Sequence, residues 1–165
     1  MKNREAVKSM IQLGLGVVLL VGMWAIIGRL FYPQQTAEDV RAAFVKNNAP
    51  LLTQIAENAM DPEKWAGIQD TAEVQSLLKE GNVAAVTGGE TCARFELAYD
   101  GAPGGSLAIL YFPDGQYRFG YDGGWTEEET QGDARRWVGG LAGQGYVNVR
   151  PLSGGFFLEE AYLPA

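Results

Sequence analysis

The side chains best equipped for chemistry in this chain are carboxylates. Glu127, Glu128 and Glu129 run together and are followed by Asp133, and Glu159 and Glu160 form a second acidic pair. Glycoside hydrolysis needs two carboxylates about 5–10 Å apart across a cleft. On a strand, Glu127 and Glu129 share one face, so a pair is geometrically available. The competing reading is a solvated acidic edge that discourages pairing with strands of other molecules. Nucleophilic chemistry finds less support. The 165 residues include no histidine, the commonest general base and metal ligand. Ser106, in Gly104-Gly105-Ser106-Leu107-Ala108, does not form a G-x-S-x-G elbow. The lysines that would have to activate it, Lys46, Lys64 and Lys79, read as exposed helix positions. The single cysteine, Cys92, has no histidine partner and only Arg94 as a basic neighbour, so it reads as a quiet, partly buried thiol. No catalytic residue is assigned and no cofactor is expected.

Two other groups of residues could bind rather than react. Asp122, Glu127, Glu129 and Asp133 offer hard oxygen ligands for an ion such as calcium, although no D-x-D-x-D-G loop is present. The aromatics are the better lead. Tyr117, Phe119 and Tyr121 alternate along one predicted strand, with Trp125, Trp137 and Tyr146 on its neighbours. If helices cover one side of a sheet, exposed tyrosine and tryptophan on the other would suit a peptide, a sugar or a partner protein. The alternative is ordinary cross-strand aromatic packing. Glycines 139, 140, 143 and 145 precede a predicted strand rather than a helix, so they read as turn and bulge positions, not as a phosphate loop.

The elements that must position these residues follow from periodicity. Of 22 glycines, 16 lie at or after Gly88, and none lies between Pro33 and Ala66. A helical first part and a turn-rich second part, without alternation, indicate an α+β fold. Thr36 is placed to cap a first helix, with Val40, Phe44, Leu51, Ile55 and Ala59 at helical spacing and an interruption expected near Ala49, ahead of Pro50. Asp61-Pro62-Glu63 opens a short second helix around Lys64–Gly67, and Thr71 caps a third over Ala72–Glu80, stopped by Gly81. Strands are predicted over Val83–Thr87, Thr91–Tyr99, Ser106–Phe112, Gln116–Tyr121, Trp125–Glu129, Ala134–Val138, Tyr146–Arg150 and Phe156–Leu163. The expected product is N-terminal helices packed on one face of a curved antiparallel meander.

Charge and hydropathy place this domain in a cell. Met10 to Gly28 is an uncharged run of 19 residues. As a helix it is about 28 Å long, close to the roughly 30 Å of a hydrocarbon core. Trp24, Arg29, Phe31 and Tyr32 suit the membrane interface, and Pro33 ends the helix. Lys2, Arg4 and Lys8 precede the run, opposed only by Glu5, so the positive-inside rule keeps that end in the cytoplasm. Residues 1–9 read as a cytoplasmic tail, 10–32 as a transmembrane helix in contact with lipid, and 33–165 as an extracytoplasmic α+β domain. The whole chain carries a net charge of −7. Setting aside Lys2, Arg4, Lys8, Arg29 and Glu5 leaves nine basic and nineteen acidic residues, which disfavours nucleic-acid binding.

The second half resembles a family of small uncharacterised proteins from Gram-positive bacteria, many with a single N-terminal membrane span. The matching residues are Tyr111-Phe112-Pro113-Asp114, Gly124-Trp125, Gly132-Asp133, Tyr146-Val147-Asn148-Val149 and Gly155-Phe156-Phe157-Leu158-Glu159. The chain departs from the family's tyrosine-rich final strands at Val147, Val149 and Leu158. The resemblance implies an anchored architecture and no particular activity. The functional expectation is a membrane-anchored, non-enzymatic extracytoplasmic module that binds a protein or glycan. The alternatives are a carboxylate-based cell-envelope hydrolase and an accessory subunit of a larger membrane complex.

Overall fold

The computed structural model describes residues 36–99, 101, 103–130, 132–140 and 143–164. The predicted span over 10–32 and the tail before it lie outside these residues. Among the described residues, no helix is long and apolar enough to cross a membrane.

The first helix, α1, covers Ala37–Ala59. Thr36 caps it reciprocally: its Oγ1 accepts from the Asp39 amide at 3.1 Å, and the Asp39 carboxylate accepts from the Thr36 amide at 2.9 Å. Of the kink or break expected near Ala49, the break does not occur: Pro50 sits inside a continuous helix. Proline costs a helix interior about 3 kcal/mol. Val45, Leu52, Ile55, Ala56 and Ala59 are all buried along one face of α1 and flank Pro50 on both sides. Each large aliphatic side chain contributes about 1.5–3 kcal/mol on burial, enough to outweigh that loss. Val40, expected inward, is 53% exposed, and burial starts at Phe44 and Val45.

Helix α2 spans Pro62–Ile68, with the Asp61 side chain accepting from the Glu63 and Lys64 amides. Helix α3 spans Ala72–Glu80, capped by Thr71, and buries Val74 and Leu77. Seven strands follow: β1 (Val83–Gly88), β2 (Ala93–Leu97), β3 (Gly105–Tyr111), β4 (Trp125–Glu128), β5 (Arg135–Gly139), β6 (Gly145–Pro151) and β7 (Phe156–Tyr162).

All neighbours in the single sheet are antiparallel, in the order β1-β2-β3-β7-β6-β5-β4. This is not one continuous meander. The chain makes β1, β2 and β3 in sequence, crosses to the far edge, and returns through β4, β5 and β6 so that β7 closes against β3. The strand predicted over Gln116–Tyr121 is absent, because those residues belong to the crossing segment and pair with no strand.

Strand alternation gives the sheet two apolar faces. One packs against the helices: Phe95, Leu97, Leu107, Ile109, Tyr111, Phe156 and Leu158 join the buried face of α1 and residues Val74 and Leu77 of α3. Helix α1 comes close to the sheet at Gly88, where a Cβ atom would lie 1.7 Å from the Ala59 carbonyl oxygen. Only glycine fits there. Away from the helices this face turns polar: Glu160 on β7 lies beside Asn148 on β6, which lies beside Arg136 on β5. The opposite face carries Ala108, Leu110, Phe157, Ala161, Val147, Val149 and Trp137. That face needs its own cover, and the crossing segment supplies it.

Candidate functional site

Residues 113–124 form a strap over this second face. Their alternation, which suggests a strand, instead sends Tyr117, Phe119 and Tyr121 down onto the sheet. Phe119 lies 4.7 Å from Trp137 between ring centroids, and Tyr117 lies 5.5 Å from the same indole. Trp125 is 5.6 Å from Phe119 and 5.9 Å from Tyr121. These are tilted and edge-on arrangements of the kind that stabilise aromatic pairs beyond their buried area. Five of the six aromatics singled out from the sequence therefore meet in one cluster: Tyr117, Phe119, Tyr121, Trp125 and Trp137. Trp137 is buried and the other four are half-buried, so this is a covered face rather than an open one. Tyr146 is not among them. It lies on the opposite face, stacked on Tyr162 at 5.8 Å, with the Arg136 guanidinium 5.4 Å from its ring centroid.

At the centre of the covered face is a carboxylate. Glu159 is only 2% exposed. It accepts hydrogen bonds from Arg94 Nη1 at 2.7 Å, Tyr117 Oη at 2.8 Å and Tyr121 Oη at 2.7 Å. Two of these donors come from the strap and one from β2. A buried carboxylate is tolerable only when paired and hydrogen-bonded, and here it is both. Burial works against the Arg94 charge, but the hydrogen bond and charge of Glu159 outweigh it and hold the guanidinium above its ordinary value. Burial, reinforced by the Glu159 charge, pushes both Tyr117 and Tyr121 well above the ordinary phenol range. Cys92 packs beside this region with Tyr117 and Phe157, and burial raises its thiol pKa.

The sequence placed Glu159 beside Glu160 without separating their roles, and it did not join Glu159 to Arg94. Strand alternation separates them, sending Glu159 to the covered face and Glu160 to the helix-side face. The available signal was an acid between Phe157 and Ala161 on an otherwise apolar strand face, which demands a partner.

Two clefts flank the strap. The larger, about 680 Å³, is lined by Gly115, Gln116 and Tyr117 of the strap, by Gly132 to Arg135, and by Val149, Pro151 and Phe157. It combines an apolar wall of Tyr117, Phe157, Val149 and Pro151 with the polar groups of Gln116, Asp133 and Arg135. The smaller, about 200 Å³, lies at the other end of the strap, lined by Tyr121, Asp122, Trp125 and the glycines 139, 140 and 145. Gly139, expected at a turn or bulge, is the last residue of β5, with φ +132° and a Cβ position 2.1 Å from the Gly124 carbonyl oxygen, so only glycine fits there.

The acidic residues divide among these places. Asp133 lines the larger cleft and Asp122 the smaller, one carboxylate in each. Glu127, Glu128 and Glu129 are exposed, the first two on the edge strand β4, and Glu128 pairs with Arg136 at 3.3 Å. Among the described residues no group of three potential ligands is placed to hold a metal ion, so Asp122, Glu127, Glu129 and Asp133 do not converge. Comparison of the chain with protein-family models, with curated proteins and with solved structures gives no match.

Proposed function

We propose that this chain is a non-enzymatic binding module, held at the outer side of a membrane by residues 10–32 and binding a protein or glycan through the cleft beside the strap. The observation that carries the reading is the composition of the larger cleft. An aromatic and aliphatic wall stands against one amide, one carboxylate and one guanidinium, which is the usual mixture of apolar contact and few orienting polar groups. The uncharged run from Met10 to Gly28, its basic leading flank and the resemblance to anchored bacterial proteins support the location. A hydrolase is less well supported, since each cleft holds a single carboxylate and the most buried acid, Glu159, is already satisfied by three donors.

The test is site-specific photocrosslinking in intact membranes. A benzophenone side chain is placed at Gln116 or Arg135 in the cleft, and at Glu80 on the helical surface as a control. A discrete adduct from the cleft positions but not from position 80 is expected. Equal adducts from all three would favour broad burial in a larger complex, and none from the cleft would remove it as the binding surface.

A further inference from the structure

The strap is fastened differently from the rest of the domain. Backbone hydrogen bonds tie it down only near its ends: Phe112 N to Gly155 O and Gly115 N to Phe112 O on one side, Trp125 N to Gly123 O and Gly140 N to Gly124 O on the other. Among the described residues, no backbone–backbone hydrogen bond joins Gln116–Asp122 to the sheet. What holds this stretch is side-chain packing, two phenol hydroxyls on one carboxylate and, at its far end, the Trp125 indole N–H donating to the Asp122 carbonyl oxygen at 3.0 Å. Gly115 and Gly123 bracket it, with φ of 70° and 112°. The sheet beneath is fully paired without it, since β3, β7, β6 and β5 hydrogen-bond to one another in register.

We propose that residues 113–124 are a displaceable gate, latched by Tyr117 and Tyr121 on the Glu159–Arg94 pair, which swings from the sheet while the sheet stays folded. Tyr117 is both a latch residue and a wall of the larger cleft, so opening the gate reshapes that cleft. This last consequence rests on the binding reading above; the gate itself does not. Local opening of this kind is expected where few backbone hydrogen bonds resist it, and here it is opposed by the packing of the strap's rings and by the latch. The chain carries its own reporters. Arg118 lies exposed at the middle of the strap, paired with Asp114. Cys92, the single cysteine, is half-buried against the same cluster as Tyr117, formed by Ala108, Leu110 and Phe112, and becomes more accessible when the strap leaves.

The experiment uses the full chain in detergent micelles. Tryptic cleavage after Arg118 and maleimide labelling of Cys92 are followed in native buffer and in low urea. In the wild type, both rates should rise with urea far less steeply than global unfolding does, because a local opening exposes little surface. In Tyr117→Phe/Tyr121→Phe the rings remain and the latch is lost. Cleavage after Arg118 should then increase by about 100-fold or more, since each hydrogen bond to a charged group is worth a factor of ten or above, and labelling of the half-buried Cys92 should rise with it. Cleavage after Arg94 and Arg136 in the sheet should not follow. If all sites respond in parallel, in either protein, strap and sheet are one cooperative unit and the gate is refuted. If the double variant fails to fold, the urea dependence of the wild type decides alone. A gate that opens as described alongside absent cleft adducts would overturn the binding reading and leave the gate standing.

Discussion

Arg94→Met is the most exacting perturbation of this structure. It leaves an aliphatic stem of similar reach and removes the one cation bonded, among the described residues, to Glu159, whose side chain is 3% exposed. The carboxylate would keep two phenol donors but lose its charge partner. Removing one member of a buried pair costs about 3–5 kcal/mol, because the other charge is left uncompensated. For a domain of this size that corresponds to a fall in Tm on the order of 10–20 °C. The companion Glu159→Gln removes the charge that Arg94 neutralises. Arg94 itself is 26% exposed and lies 3.7 Å from Glu96, so it retains water and a second acid. The double variant should therefore be more stable than Arg94→Met alone, with a coupling of about 2–3 kcal/mol in a double-mutant cycle. Near-ultraviolet circular dichroism is the assay, because Trp125 and Trp137 lie in the cluster around Glu159 and their signal reports its packing. A loss below about 1 kcal/mol for Arg94→Met, or a double variant as unstable as the sum of its singles, would refute a charged, paired Glu159.

Other outcomes follow from the same geometry. Tyr117 and Tyr121 are held above the ordinary phenol value, first by burial and then by Glu159. Above about pH 10 the unfolded chain loses phenolic protons that the folded chain keeps, so their contribution is complete below that pH and declines as pH rises. Tm should fall there, less so in Tyr117→Phe/Tyr121→Phe, and absorbance at the tyrosinate band should show these two phenols ionising only when the strap opens or the domain unfolds. Gly88→Ala should cost about 1–3 kcal/mol in urea denaturation, because its Cβ would meet the backbone of Ala59 at 1.7 Å and not a movable side chain. If residues 10–32 anchor the chain as proposed, alkaline carbonate should leave the full-length chain in the membrane fraction, and its release would refute that anchor.

Much of the fold was legible in the sequence because local signals and burial agree. Asp61 and Thr71 cap the helices they were expected to cap, and the alternation of Ala93, Phe95 and Leu97 matches a buried strand face. The continuous α1 was not legible, because the local preference of Pro50 is overridden by burial of residues on either side of it. The strap was misread for a related reason. Tyr117, Phe119 and Tyr121 show the period of a half-buried strand, and an extended segment lying across a sheet has that same period. Periodicity reports which side chains point inward, not whether the backbone has a neighbour. The pairing of Arg94 with Glu159 lay beyond local pattern altogether, since it joins residues 65 positions apart.

Strand β7 is the last of the seven in chain order, yet it sits at the middle of the sheet with β3 on one flank and β6 on the other. Two half-sheets must wait, each with a bare flank, until the final strand arrives to weld them. Pairings so distant in sequence form slowly, and the bare flanks are vulnerable to association while they wait. A ribosome stalled before Phe156 would leave two three-stranded fragments and no keystone. The final strand is thus what makes one sheet out of two: without it, among the described residues, no backbone pairing joins the first three strands to the second three.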